Sequence, residues 1–304
     1  MLEDVKRALR AVVMITVTPF DGAGQIDGPG YRSVLRRTLD AGIDVVTPNG
    51  NTSEFYSLTA VERDQALALT VQEATGRALV VAGVGYDVRT AVDSAVSARA
   101  AGAGAVMVHQ PVHPYLSAAG WVDYHRAVAE AVPELGLVCY LRSPHIPAGA
   151  LAELARVAPN FVGVKYAVPD PVAFGQAVTV VEDAAGADRL AWICGLAETW
   201  APFFWPVGAE GFTSGLANVT PELSLRLLAA LRTDHNAARD LWRLLKPFED
   251  LRAANGSADN VTVVKEALAQ LDLCGRTVRP PISELPAAGQ AEVAAWLKAV
   301  SSGS

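Results

Sequence analysis

Cysteine is scarce in this chain: Cys139, Cys194 and Cys274 are the three in 304 residues, and they are widely scattered. That number and spacing exclude a disulfide framework and a CxxC metal site. Each sits beside apolar residues, so buried thiols in a reducing compartment are expected. Long apolar runs are missing as well. No stretch approaches the roughly 20 residues needed to cross a bilayer, which argues against a membrane partner. Basic runs are also absent. With 25 basic and 32 acidic residues the net charge is −7, which argues against nucleic acid as a partner. The opening MLEDVKRALR mixes acids with bases and is unlike a signal peptide. A cytoplasmic protein is expected.

What the chain does have is apolar residues, 51% of the total, enough to exclude intrinsic disorder. Short apolar runs alternate with longer amphipathic segments. The strand candidates are Val12–Val17, Val45–Pro48, Ala78–Gly83, Ala105–His109, Leu137–Tyr140, Phe161–Lys165, Ala191–Cys194 and Gly211–Ser214. Their starts lie about twenty to thirty-three residues apart, the spacing of βα units. Continuous apolarity, rather than alternation, suits a parallel sheet covered on both faces. Helices are expected over Arg89–Ala101, Trp121–Val132, Ala148–Val157 and Pro171–Val181. Another should begin at the Thr59/Glu62 capping box, and Gly42, Gly76 and Gly102 fall where helices end. The reading is an α/β fold, a (β/α)8 TIM barrel. An open doubly wound sheet is the alternative, but no GxGxxG follows the first strand. From Glu222 onward the patterns are helical, with AANGSADN (253–260) as a loop. Residues 1–221 are therefore read as the barrel and 222–304 as C-terminal helices packed on it.

Barrel enzymes carry their chemistry at the C-terminal ends of strands. Of five lysines, Lys6, Lys246, Lys265 and Lys298 lie in helical or terminal segments, where solvated charges are expected. Lys165 instead ends the apolar run Phe161–Val164. Desolvation there would leave a neutral amine able to attack a carbonyl and form an imine. Pairing with Glu54 or Asp170 is the other reading. Tyr140 ends the preceding strand, where a phenol can relay protons or simply pack. The polar loop Asn49–Phe55, with Asn51, Thr52 and Ser53, offers donors for a carboxylate or makes a plain turn. Arg142 could clamp a second carboxylate or sit in a surface ion pair. His109 and His113 lack a third ligand at metal-site spacing. GxSxG elbows, P-loops and paired-carboxylate glycosidase signals are absent.

Taken in order, these pieces resemble the dihydrodipicolinate synthase/N-acetylneuraminate lyase family. The matching segments are Thr18-Pro19-Phe20, Gly50–Glu54, Tyr140, Gly163-Val164-Lys165, Gly195, Ala217-Asn218-Val219 and Val278–Pro281. The resemblance spans nearly the whole chain. It implies a barrel lyase, usually a homotetramer, acting on small-molecule 2-keto acids with no metal or organic cofactor. By this resemblance Lys165 matches the imine-forming lysine, Tyr140 the proton-shuttling tyrosine and Thr52 the hydroxyl that holds the substrate carboxylate. Thr213 and Ser214 fall where the eighth strand borders the imine.

Several positions depart from the synthase pattern. Asn51 and Ser53 replace a Thr and a Gly, and His145 replaces an Arg. His113, with Tyr115 two residues on, stands where a second relay tyrosine is usual. Other features resemble the branch that dehydrates and decarboxylates 5-dehydro-4-deoxyglucarate. These are Ser53–Thr59, Arg142 two residues after the tyrosine, Pro247-Phe248, Val264-Lys265 and Val278–Pro281. Tyr166 departs from that branch, which has Asp after the lysine. The resemblance therefore implies a keto-deoxy sugar-acid dehydratase first. Dihydrodipicolinate synthesis or sugar-acid aldol cleavage is the alternative.

Overall fold

The computed structural model describes residues 1–302. Its strands are β1 (Val12–Ile15), β2 (Val45–Thr47), β3 (Leu79–Val84), β4 (Ala105–Val108), β5 (Gly136–Leu141), β6 (Phe161–Tyr166), β7 (Ala191–Cys194) and β8 (Gly211–Ser214). They follow one another in the order of a closed barrel, and the pairings from β3 to β8 are parallel. Every strand residue is buried except Leu79, which is partly exposed. That two-sided burial is why the strands read as unbroken apolar runs. The expected (β/α)8 class is the observed one; the open sheet is not.

The helices are α1 (Leu2–Ala8), α2 (Gly28–Asp40), α3 (Ala60–Ala74), α4 (Val88–Ala101), α5 (Ala118–Ala131), α6 (Ala148–Val157), α7 (Pro171–Ala185) and α8 (Ala197–Phe204). They continue as α9 (Pro221–Thr233), α10 (His235–Ser257), α11 (Asn260–Gln270) and α12 (Ala287–Ser302). The Thr59/Glu62 capping box forms at the start of α3. Asp27, Asp87, Ser117 and Asp170 accept backbone N–H bonds at the starts of α2, α4, α5 and α7. Each satisfies a donor that the first turn leaves without an intrahelical partner. The expected loop in AANGSADN is a break inside α10, where Ala254, Asn255 and Gly256 leave helical φ/ψ. α1 was not anticipated from the sequence.

Two compact units emerge. One comprises Met1–Val13 and Leu79–Thr213; the other comprises Met14–Ala78 and the chain from Ser214 onward. In the first, α1 packs so closely that a Cβ on Gly136 would lie 2.7 Å from Val5. In the second, Asn218 accepts from the Val17 N–H (3.1 Å) and donates to the Ile15 carbonyl (2.8 Å). The same unit holds Arg252, whose guanidinium reaches Glu249 and Asn260 across the α10 break. Gly215 lets that guanidinium approach closely, since a Cβ there would lie 2.4 Å from it and Arg252 would have to shift.

Candidate active site

Within the first unit, the register of β5 and β6 pairs Tyr140 directly with Lys165. Paired positions share a face, and the Lys165 Nζ lies 4.0 Å from the centre of the Tyr140 ring. Both residues are buried. Among the described residues Lys165 has no ion pair: Asp170 caps α7 through the Ala173 N–H at 2.9 Å, and Glu54 is bound elsewhere. Burial, reinforced by the positive charge of Arg142, lowers the Lys165 pKa to about 7. At neutral pH a substantial fraction of the amine is therefore unprotonated and nucleophilic. Gly195 leaves room for the lysine stem, since a Cβ there would lie 3.0 Å from Lys165 Cγ and 2.9 Å from the Tyr166 carbonyl oxygen.

Arg142 is exposed, its guanidinium carbon 5.9 Å from the centre of the Tyr140 ring, and it forms no ion pair among the described residues. His113 is also exposed, its Nδ1 accepting from the Tyr115 N–H at 3.1 Å. Tyr115 is 88% exposed, and His145 is exposed as well. Thr213 is buried, donating to the Cys194 carbonyl at 3.5 Å. Tyr166 points the other way from Lys165, packing edge-on against Phe174 of α7 with ring centres 5.2 Å apart. The departure at position 166 thus falls on the helix-covered face of the strand. Cys139 and Cys194 are buried with raised thiol pKa values; Cys274 is only partly buried.

The second unit contains the loop after β2. Thr52 is buried, and Asn51 is partly so. Ser53 is engaged in holding the loop: its hydroxyl donates to the Thr16 carbonyl and accepts from the Gly50 N–H at 3.1 Å. Ser214 likewise accepts from the Ala217 N–H at 2.8 Å and lies 3.3 Å from the Ser224 hydroxyl of α9. Sequence reasoning missed what anchors this loop. Glu54 pairs with Lys265 of α11 and accepts from the Arg279 N–H at 2.9 Å. The Lys265 ammonium and the Arg279 guanidinium each lie 4.2 Å from the centre of the Phe20 ring. Arg279 also grips Glu62, lowering its pKa to about 2. Lys265 is fully buried, and Lys6 nearly so, its ammonium bonded to the Asp188 carbonyl at 2.7 Å. Both correct the expectation of solvated lysines. A lysine directly after the apolar VTVV run was the available signal for Lys265.

A closed parallel barrel carrying a buried, weakly basic lysine at a strand end defines a class: barrel enzymes equipped for carbonyl chemistry. Comparison with known proteins narrows it. The dihydrodipicolinate synthetase family model matches residues 8–300, and the chain belongs to that family of lyases. A probable 5-dehydro-4-deoxyglucarate dehydratase of Methylobacterium radiotolerans is 34% identical over 287 residues, 92% of each chain. The crystal structure of dihydrodipicolinate synthase from Oceanobacillus iheyensis superposes with a TM-score of 0.94 at 39% identity, covering 99% of this chain and 100% of that one. That of dihydrodipicolinate synthase from Bacillus clausii gives 0.92 at 42% identity, covering 98% and 99%. None of the described helices is long and apolar enough to cross a membrane.

Proposed function

We propose that this protein forms an imine between Lys165 and a 2-keto acid, and that it dehydrates and decarboxylates a keto-deoxy sugar acid such as 5-dehydro-4-deoxyglucarate. The observation that carries this reading is the Lys165 amine, buried, without an ion pair among the described residues, and 4.0 Å from the centre of the Tyr140 ring. The neutral amine adds to the keto carbon, and the carbinolamine hydroxyl departs as water with a proton from Tyr140. The resulting iminium acidifies the neighbouring C–H. Removal of that proton gives an enamine, which expels the β-hydroxyl; it takes up a proton and leaves as a second water, and a conjugated iminium remains. The electron pair of the distal C–CO2 bond flows into that iminium as carbon dioxide departs, and protonation and hydrolysis then free the lysine. The protonated imine is the electron sink, so the reaction as proposed uses no metal or organic cofactor. Thr52 is assigned the keto acid's own carboxylate. Arg142 takes the distal one, with Asn51, Ser53, His113, Thr213 and Ser214 as further candidates for substrate contact. Residues 1–221 then form the catalytic barrel supported by helices 222–304, in a cytoplasmic homotetramer.

Borohydride reduction in the presence of pyruvate should add the ligand's mass to the peptide containing Lys165, and Lys165→Ala should abolish the label. Turnover of 5-dehydro-4-deoxyglucarate should exceed that of pyruvate with aspartate semialdehyde. Arg142→Ala should weaken the dicarboxylate by about 10- to 100-fold, the worth of one charge-assisted pair of roughly 1.5–3 kcal/mol. The second reading, dihydrodipicolinate synthesis, is favoured by the 39% and 42% identity to solved synthases. Turnover of the pyruvate–semialdehyde pair alone would select it.

A further inference from the structure

We infer that His109 is a positioning residue for Tyr140, exchanging a proton with the phenol from within the same subunit. The inference rests on the imine reading of Lys165 and adds a third member to its machinery. Val108, the last residue of β4, pairs with Cys139 of β5. The next position, His109, is therefore level with Tyr140, which is itself paired with Lys165. The His109 N–H donates to the Val84 carbonyl at 2.8 Å, fixing the backbone at that level. His109, Tyr140 and Lys165 thus stand in one row across the ends of three adjacent strands. The imidazole is 1% exposed, and its ring centre is 5.8 Å from that of Tyr140 at a 60° tilt. That separation lets an imidazole nitrogen meet the phenol oxygen directly or through one water.

The exposed His113 and Tyr115 do not share this setting. They are on the surface of the chain, bonded to one another. The other fully buried histidine, His125, is stacked on Trp121 of its own helix, with ring centres 4.0 Å apart, as a packing residue is. His109 differs by standing at the strand ends beside the reacting pair. Its step balances simply. Tyr140 gives its proton to the departing carbinolamine hydroxyl, which leaves as water. The imidazolium returns a proton to the phenolate, and the imidazole is reprotonated by the proton that the neighbouring C–H gives up as the iminium becomes the enamine.

The test combines trapping with isotope exchange. Parent, His109→Gln and His109→Ala proteins are incubated with pyruvate, reduced with borohydride and weighed. Exchange of pyruvate methyl protons in deuterium oxide is followed in parallel by NMR. Trapping at Lys165 should persist in all three. Exchange in the variants should slow about 100-fold, the low end for a positioned proton-transfer group, with KM changed no more than a few-fold. Added imidazole should restore exchange in His109→Ala in a saturable manner, which a purely structural role would not produce. Should His109→Ala fail to fold, His109→Gln carries the comparison. Trapping with exchange near the parent rate overturns the role of His109 alone. Absence of trapping in the parent overturns the imine reading and this inference with it.

Discussion

Lys265 and Glu54 form an ion pair in which neither side chain has any exposure to solvent. The carboxylate also accepts the Arg279 N–H, so one buried charge ties the loop after β2 to α11 and to the segment ending in Pro280-Pro281. Removing one partner of such a pair leaves the other charge buried alone, which costs about 3–5 kcal/mol. Lys265→Met should therefore destabilise the protein by about that amount in urea unfolding. Lys265→Met/Glu54→Leu, which removes both charges, should recover much of the loss. Equal destabilisation by the single and double variants would show that the pair is not coupled.

The Lys165 amine, held at a pKa of about 7 by burial and by Arg142, dictates a pH profile. Only the neutral amine attacks the carbonyl. Imine formation with pyruvate should rise as pH increases to about 7 and level off above it. Arg142→Ala removes a positive charge that favours deprotonation, so the amine becomes more basic and the rising limb moves to higher pH. The plateau should be unchanged, since pyruvate has no distal carboxylate. Rapid-mixing measurements of both proteins check this; a limb that stays in place would show that the charge of Arg142 does not reach the amine.

Tyr140 should matter to rate rather than to binding. Tyr140→Phe preserves the ring beside Lys165 and removes only the hydroxyl. A positioned acid/base contributes about 10²–10⁴-fold, so kcat should fall by at least about 100-fold with KM little changed. Steady-state kinetics on the preferred keto acid decide this, and a kcat within a few-fold of the parent would make the phenol a packing group.

The barrel could be read in advance because buried parallel strands leave a simple signal: eight apolar runs at βα spacing. Lys165 and Tyr140 stood out for the same reason, as polar residues ending such runs. The contacts of Lys265 were hidden, because its partners Glu54 and Thr277 lie 211 and 12 residues away in sequence. The bonds of the side-chain hydroxyls carry no pattern in the sequence: Ser53 donates to the Thr16 carbonyl 37 residues away, and Ser214 accepts from the Ala217 N–H. The row containing His109 needed strand register, which apolar pattern alone does not define. α1 is short and charged on its exposed face, and its place depends on Val5 and Lys6 being buried by distant residues.

His125 predicts a loss of stability in mild acid. It lies on α5, fully buried, its Nδ1–H donating to the Trp121 carbonyl at 2.7 Å, while Nε2 has no hydrogen-bond partner. Burial lowers its pKa to about 4, against about 6.5 for the group in an unfolded chain. The native protein therefore binds fewer protons than the unfolded chain between these values, and stability must fall as pH falls through them. The contribution is complete above about pH 6.5, declines toward pH 4 and is absent below, a total of about 3 kcal/mol at 1.36 kcal/mol per pH unit. His125→Phe keeps an aromatic ring against Trp121 but cannot titrate. Urea unfolding of both proteins at pH 7 and pH 4.5 should show the parent losing about 2–3 kcal/mol more than the variant. Parallel losses in the two proteins would mean that the acid sensitivity arises elsewhere and that His125 is already protonated, or equally free to protonate, in the folded state.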